Sequence, residues 1–504
     1  MFKKSNSKNL IKELDYIELI KLNILENKDI MRDIEYNFCK MKELKNTIKR
    51  LGNKDILDEI ELFEIKNFAI NINEIIKLYE KLNINIDYIN FEKLSNIVKL
   101  LDPDNLNLAT FRIYDSYSDK LTQIRKLKSI LEGQIFKLSN VNKNIKNSKS
   151  NSILSCEVNK ASNLDEIDVN ESNKYNKISK YSEINEEDDI KKLKAKRLEI
   201  VASEEEESLE IRKILSCELF KNIDRINKNI KSIGKLDFLI AKANLAIKYN
   251  AIKPQINSEN KIQFKEVINP KMLEILLNQN KKYMPISIDI NNTITLISGA
   301  NMGGKSVSMK TIALNLYLFQ CGFYVFAKEA NLCVLDFVYL ISDDMQDVNK
   351  GLSTFGGEII KLKEITKLMK LQDGFIALDE FARGTNPIEG RLLLKSICTY
   401  FKKFNSISLI STHYDDISID DIDYYQVIGL KNVDFEKLRR KIDFKISNID
   451  TLQEHMDYRL EKVNKEAKVP KDAINICKLL GLENEIIEIA QNFSKNIYKG
   501  DDYE

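Results

Sequence analysis

Apolar residues recur at three- and four-residue spacing through most of the first 138 positions, the period of helices that bury one face. Ile11, Leu14, Ile17, Ile20 and Leu22 mark an early stripe. Leu121, Ile124, Leu127 and Leu131 mark a late one, introduced by Phe111-Arg112-Ile113-Tyr114. Few glycines and one proline, Pro103, interrupt the stretch from Leu10 to Leu138, so residues 1–138 read as a helical core and lever region. Between Ser139 and Asp189 the chain turns to Asn, Ser, Lys and Glu with scattered apolar residues, as in Asn142-Lys143-Asn144-Ile145. Such a composition buries too little apolar surface to offset chain entropy, which predicts a disordered low-complexity insertion over 139–189. Helical periodicity resumes near Ile190 and returns over 190–260, placing the insertion at the tip of a helical hairpin. The acidic run Glu204-Glu205-Glu206-Glu207 reads as a solvated face of the returning helix.

From about position 261 the period changes. Thr293-Ile294-Thr295-Leu296-Ile297, Phe375-Ile376-Ala377-Leu378 and Ser406-Ile407-Ser408-Leu409-Ile410 are short, apolar runs rich in β-branched residues, as buried parallel strands are. Helical spacing follows in Val307 to Cys321 and in Ile359, Ile360, Leu362, Ile365, Leu368 and Met369. The alternation predicts an α/β domain over 261–465. A helix opening at Val469-Pro470-Lys471 and stopping at Gly481, then another over 482–493, predict a helical C-terminal cap within 466–504.

The candidate chemistry lies at the ends of the three predicted strands. Gly299-Ala300-Asn301-Met302-Gly303-Gly304-Lys305-Ser306 fits the phosphate-loop pattern G-x-x-x-x-G-K-[ST] and stands between a strand and a helix, the context the motif needs. In such a loop backbone N–H groups close around the phosphates of a nucleoside triphosphate. Lys305 supplies a mobile cation and the Ser306 hydroxyl is a candidate Mg²⁺ ligand. Asp379-Glu380 ends the second strand in the Walker B manner: Asp379 is placed for the Mg²⁺ water shell, Glu380 to polarise the water that attacks the γ-phosphate. The third strand leads into Ser411-Thr412-His413-Tyr414, and His413 is one of only two histidines in the chain. It is a candidate nucleotide sensor; the bland alternative is a loop histidine without a role.

These residues resemble the MutS-like ATPases, relatives of the ABC-type nucleotide-binding domains. Asn301 to Ser306, Ser353-Thr354-Phe355 with Glu358, Asp379-Glu380 followed by Arg383-Gly384-Thr385, and Thr412-His413-Tyr414 occur in that family's order. The resemblance is strong from about Pro285 to Ala490; before it, Leu236-Asp237-Phe238 and Ala241 to Ala246 resemble the end of the family's lever helices. It implies an α/β P-loop ATPase domain of ABC/MutS type preceded by an all-α lever and core domain. It also implies ATP and Mg²⁺ as ligands, and a dimer with itself or a homologous subunit, in which Ser353 reaches in trans the ATP held by Lys305. Ser353 or Thr354 also reads as the cap of a helix N-terminus, a setting that binds anions. The loop Arg383-Gly384-Thr385-Asn386-Pro387 resembles the segment that couples the two sites of the family's dimer.

Composition narrows the partner. The 504 residues, 43% hydrophobic and 31% charged, suffice for two or three cores. Lysine and arginine (78) nearly balance aspartate and glutamate (76), so the net charge of +2 makes no electrostatic demand for nucleic acid. Seven scattered cysteines lack metal-site or disulfide spacing. Neither a secretion signal nor a membrane span is legible, which predicts a cytoplasmic location. Helical pattern begins close to Met1 and few residues follow Phe493. The expectation is a relative without mismatch-reading, connector, C-terminal helix-turn-helix and nuclease segments. This compact layout, with Asp379 to Pro387, resembles the ATPase component of a lysine 5,6-aminomutase reactivase, which implies a protein client, an adenosylcobalamin-dependent aminomutase. The alternative is a reduced MutS that grips DNA through its helical levers in mismatch repair or recombination.

Overall fold

The computed structural model describes residues 1–106, 112–159, 169–299, 304–342, 354–414, 417–430, 457–465, 474, 476–477 and 481–500, with 140–159, 169–187, 354 and 494–500 described as backbone alone. Two compact units emerge: Asn27–Asp237, and Met1–Glu26 together with Phe238–Glu504. The first helix, α1 (Ser7–Glu26), therefore counts with the later unit, whereas the sequence pattern groups it with the helices that follow. Its buried stripe is Leu10, Leu14, Ile17 and Ile20; Ile11 and Leu22, read from the sequence as core, are exposed.

The unit Asn27–Asp237 is helical: α2 (Lys28–Cys39), α3 (Lys45–Gly52), α4 (Glu59–Leu82), α5 (Ser95–Leu101), α6 (Asp119–Asn159), α7 (Val169–Phe220) and the first part of α8 (Ile223–Lys248). α4 starts on a capping box, in which the Asp58 carboxylate accepts the Glu61 N–H and the Glu61 carboxylate accepts the Asp58 N–H. One face of α4 (Leu62, Ile65, Ala69 and Ile72) shares a core with Leu215 and Leu219 of α7 and Ile226 of α8. The expected insertion differs in backbone: helix runs through 140–159 and 169–187, and 160–168 lie outside the described residues. A helix already nucleated by a packed base adds further residues at little cost each. The acidic run is not a plain solvated face either. Glu204 takes Arg125 Nε (2.9 Å) and Lys128 Nζ (2.6 Å) from α6, and Glu207 takes Lys120 Nζ (2.7 Å), which pins the base of the α6/α7 hairpin.

In the other unit α8 continues to Lys248 and two sheets follow. In chain order come β1 (Gln255–Asn257), β2 (Ile262–Val267), α9 (Pro270–Asn278), β3 (Ile286–Ile290), β4 (Ile294–Ser298), α10 (Lys305–Gln320), β5 (Glu329–Cys333), β6 (Phe337–Ile341), α11 (Thr354–Met369), β7 (Gly374–Leu378), α12 (Pro387–Phe401), β8 (Ile407–Ser411), β9 (Asp423–Gly429), β10 (Asp457–Lys462) and α13 (Asn484–Gly500). The smaller sheet is ordered β1-β5-β2-β3. The larger is ordered β10-β9-β4-β8-β7-β6, parallel except for β10. β7 and β8 are buried along their whole length, and β4 is buried except at Ser298, which is why they read as unbroken apolar runs. Because β4, β8 and β7 are adjacent and parallel, residues 299, 379–380 and 412–413 leave the sheet at one edge, where open α/β sheets place their ligands. Among the described residues no helix is long and apolar enough to cross a membrane.

Candidate functional site

The glycine-rich loop leaves β4 at Gly299 (φ 144°) and enters α10 at Gly304 (φ 84°), both in the left-handed region that suits glycine. Ala300, Asn301, Met302 and Gly303 lie outside the described residues. Lys305, only 4% exposed, folds back so that its ammonium donates to the Gly299 carbonyl (2.8 Å) and lies 3.2 Å from Glu380 Oε1. Ser306 follows it in the first turn of α10, beside the N–H groups that a helix start leaves for an anion.

Asp379 and Glu380 are 6% and 8% exposed. Ser411, at the end of β8, ties them together: its hydroxyl donates to Asp379 Oδ1 (2.7 Å) and accepts the Glu380 N–H (2.8 Å). Glu380 sits at φ 46°, a conformation that costs a non-glycine residue about 1–3 kcal/mol and persists where the surroundings over-determine it. Its second carboxylate oxygen accepts from Arg383 Nη1 at 2.8 Å. The carboxylate is thus gripped between Lys305 and Arg383.

His413 stands in the field of the same three groups. Burial holds its imidazole below the usual histidine range; the Glu380 charge pulls the other way, and Lys305 and Arg383 push further down. It is therefore neutral at pH 7, with the ring tilted against Tyr414 at a centroid distance of 4.3 Å. The donor set fits a Mg²⁺ ion carried by phosphates, since the Asp379 carboxylate and the Ser306 hydroxyl are the hard oxygen ligands that ion prefers.

A cavity of about 490 Å³ opens over this point, lined by Gly304, Lys305, Ser306 and Glu380 and, on its apolar side, by Ile275 and Leu276 of α9 with Tyr283 and Tyr458. The Tyr458 ring lies against the loop: a Cβ built on Gly304 would stand 2.5 Å from Tyr458 Cδ1. A larger concavity, about 630 Å³, lies on the smaller sheet, where Lys265 and Glu329 pair at 2.7 Å, and it holds none of the motif residues.

The structure brings Gly299, Gly304, Lys305, Ser306, Asp379, Glu380 and His413 to one sheet edge, while Ser353 lies outside the described residues. Sequence reasoning missed Ser411 and Tyr458. A polar residue ending a strand next to the paired acids was the available signal for Ser411; Tyr458 arrives from β10, with no motif around it.

Residues 295–497 match the MutS domain V family. That part of the chain is similar to MutS domain V. Endonuclease MutS2 of Caldanaerobacter subterraneus subsp. tengcongensis is 30% identical over 295 residues, 57% of this chain and 34% of that protein. Endonuclease MutS2 of Acetivibrio thermocellus is 32% identical over 294 residues, with the same coverage. The DNA mismatch repair protein MutS of Clostridioides difficile is 25% identical over 524 aligned positions, 97% of this chain and 53% of that protein. The chain thus spans between a third and about half the length of these relatives.

Proposed function

We propose that this chain is an ATP-binding and ATP-hydrolysing switch, built on a P-loop domain, that couples the nucleotide state to its grip on DNA. The observation that carries the ATPase part is the buried contact of Lys305, at the start of α10, with Glu380, at the end of β7. In this reading the β- and γ-phosphates compete with Glu380 and the Gly299 carbonyl for the Lys305 ammonium. Drawing Lys305 away leaves Glu380 with Arg383 and frees one carboxylate oxygen to orient the attacking water. Mg²⁺, held by Ser306 and Asp379, supplies charge neutralisation of the phosphates when bound. Neutral His413 donates or accepts one hydrogen bond near the γ-phosphate without adding charge. The cytoplasm is the compartment proposed for this activity.

DNA is put ahead of the protein client because the relatives are named for endonuclease and mismatch-repair activities. A shift assay decides between them. Micromolar protein is expected to retard branched or duplex DNA at about 50 mM salt, and to lose about tenfold or more in affinity by about 200 mM as counterions are released. One observation favours the second reading, an adenosylcobalamin-dependent aminomutase as client: the net charge is only +2. No retardation at low salt, with an aminomutase co-purifying from the native cells, would turn the assignment to that client.

The resemblance also proposes a dimer in which Ser353 completes the partner's site. Lys305→Ala and Ser353→Arg should each be inactive alone. Mixing them, with Lys305→Ala in excess, should restore part of the turnover, because one site of the heterodimer keeps both parts. No recovery with heterodimers shown to form, or turnover by a strictly monomeric protein, contradicts the arrangement.

A further inference from the structure

The loop after β7 turns twice through left-handed backbone, at Glu380 (φ 46°) and again at Ala382 (φ 66°), with buried Phe381 between them. Strained non-glycine backbone persists only where neighbours hold it. Ser411 holds the first turn through the Glu380 N–H. The second is gripped from both sides of one residue: the Ala382 N–H donates to Glu358 Oε2 (3.0 Å), and the Ala382 carbonyl accepts from the Tyr414 hydroxyl (2.9 Å). Tyr414 is itself fixed, since Gly390 of α12 approaches its hydroxyl so closely that any Cβ there would overlap it. These two grips come from informative places. Glu358 lies in the second turn of α11, five residues after Ser353, and Tyr414 directly follows His413.

We propose that Glu358 and Tyr414 are positioning residues that fix the Ala382 peptide and so set the Glu380 carboxylate against Lys305, making α11 a determinant of hydrolysis within its own chain. The inference rests on the ATPase reading. Lengthening or losing the Glu358 contact lets the loop relax toward ordinary backbone, which turns Glu380 away without touching the groups that hold the phosphates. Catalysis should therefore suffer while nucleotide affinity does not.

The test is steady-state turnover of Mg–ATP with binding of a fluorescent, non-hydrolysable ATP analogue, on the full chain. Glu358→Ala should lower kcat about 10- to 100-fold with KM and analogue Kd within about twofold. Glu358→Gln should recover to within about threefold of wild type, because its amide oxygen still accepts the Ala382 N–H. Tyr414→Phe should lose about three- to tenfold in kcat. In a Glu380→Gln background, Glu358→Ala should change the residual rate less than twofold, since the group it positions is gone. A kcat within twofold of wild type for Glu358→Ala, an equal loss in both backgrounds, or failure of Glu358→Gln to recover would overturn the proposal. Where Glu358→Ala does not fold, judged by its melting curve, Tyr414→Phe in the wild-type and Glu380→Gln backgrounds carries the same comparison. A wild-type protein that binds the analogue but releases no phosphate removes the ATPase reading itself, and this one with it.

Discussion

Lys305→Ala should bind ATP roughly 10- to 150-fold more weakly than wild type, while Glu380→Gln binds as tightly and turns over about 10²–10⁴-fold more slowly. The first figure is the weight of a charge-assisted contact to phosphate, about 1.5–3 kcal/mol. The second is the usual contribution of a positioned general base. The geometry explains why the two should separate. Lys305 is held by two acceptors, the Gly299 carbonyl and Glu380 Oε1, so replacing the carboxylate with an amide leaves the ammonium anchored and ready for phosphate. Removing Lys305 instead leaves Glu380 paired with Arg383 alone and strips the loop of its cation. Titration with a fluorescent nucleotide and a phosphate-release assay read the two quantities independently. Turnover undiminished in Glu380→Gln would remove that residue from the mechanism.

The second large effect is on stability and lies at the far end of α10. Lys242 of α8 and Glu13 of α1 form a pair at 2.7 Å, both nearly inaccessible, and the Lys242 ammonium also donates to the Cys321 carbonyl at 3.3 Å. It faces the rings of Phe238 and Phe323 at 4.6 and 4.8 Å. Truncating Lys242 takes the cation away from a carboxylate that stays buried. Lys242→Ala should therefore cost about 3–5 kcal/mol, a drop in the melting temperature of that unit of roughly 6–20 °C. Replacing both partners, Lys242→Met with Glu13→Leu, should restore most of the loss, since a buried ion pair and an apolar pair of similar volume are often equivalent. Scanning calorimetry reads both. A single variant melting within about 2 °C of wild type would mean that the N-terminal helix contributes little to the unit of Met1–Glu26 and Phe238–Glu504.

What the sequence made legible follows from which physics is local. β4, β7 and β8 are visible as unbroken apolar runs because they are buried on both faces, and the residues that end them are legible without the sheet order. That Asp379 and Glu380 would share the Ser411 hydroxyl was not visible, because strand adjacency is a property of topology and β8 lies 32 positions away. Periodicity found the face of α1 that is buried, at Leu14, Ile17 and Ile20, but carries no information about what it is buried against. The acidic run misled for a related reason: Glu204 and Glu207 look solvated until α6, some 80 positions earlier, supplies Arg125, Lys128 and Lys120. Composition argued for a disordered hairpin tip where the backbone is helical over 140–159 and 169–187. Net charge averages over the whole chain, so near-neutrality says little about any one surface, and here it pointed away from the partner class that the relatives' names favour.

The most direct test of the central reading is a crystal structure of Glu380→Gln grown with Mg–ATP. The expected result is an intact triphosphate over the N-terminus of α10, with Lys305 Nζ moved from the Gly299 carbonyl to the β- and γ-phosphates and Ser306 and Asp379 on the metal side. Nucleotide bound elsewhere, or a triphosphate that leaves Lys305 where it now stands, would contradict it.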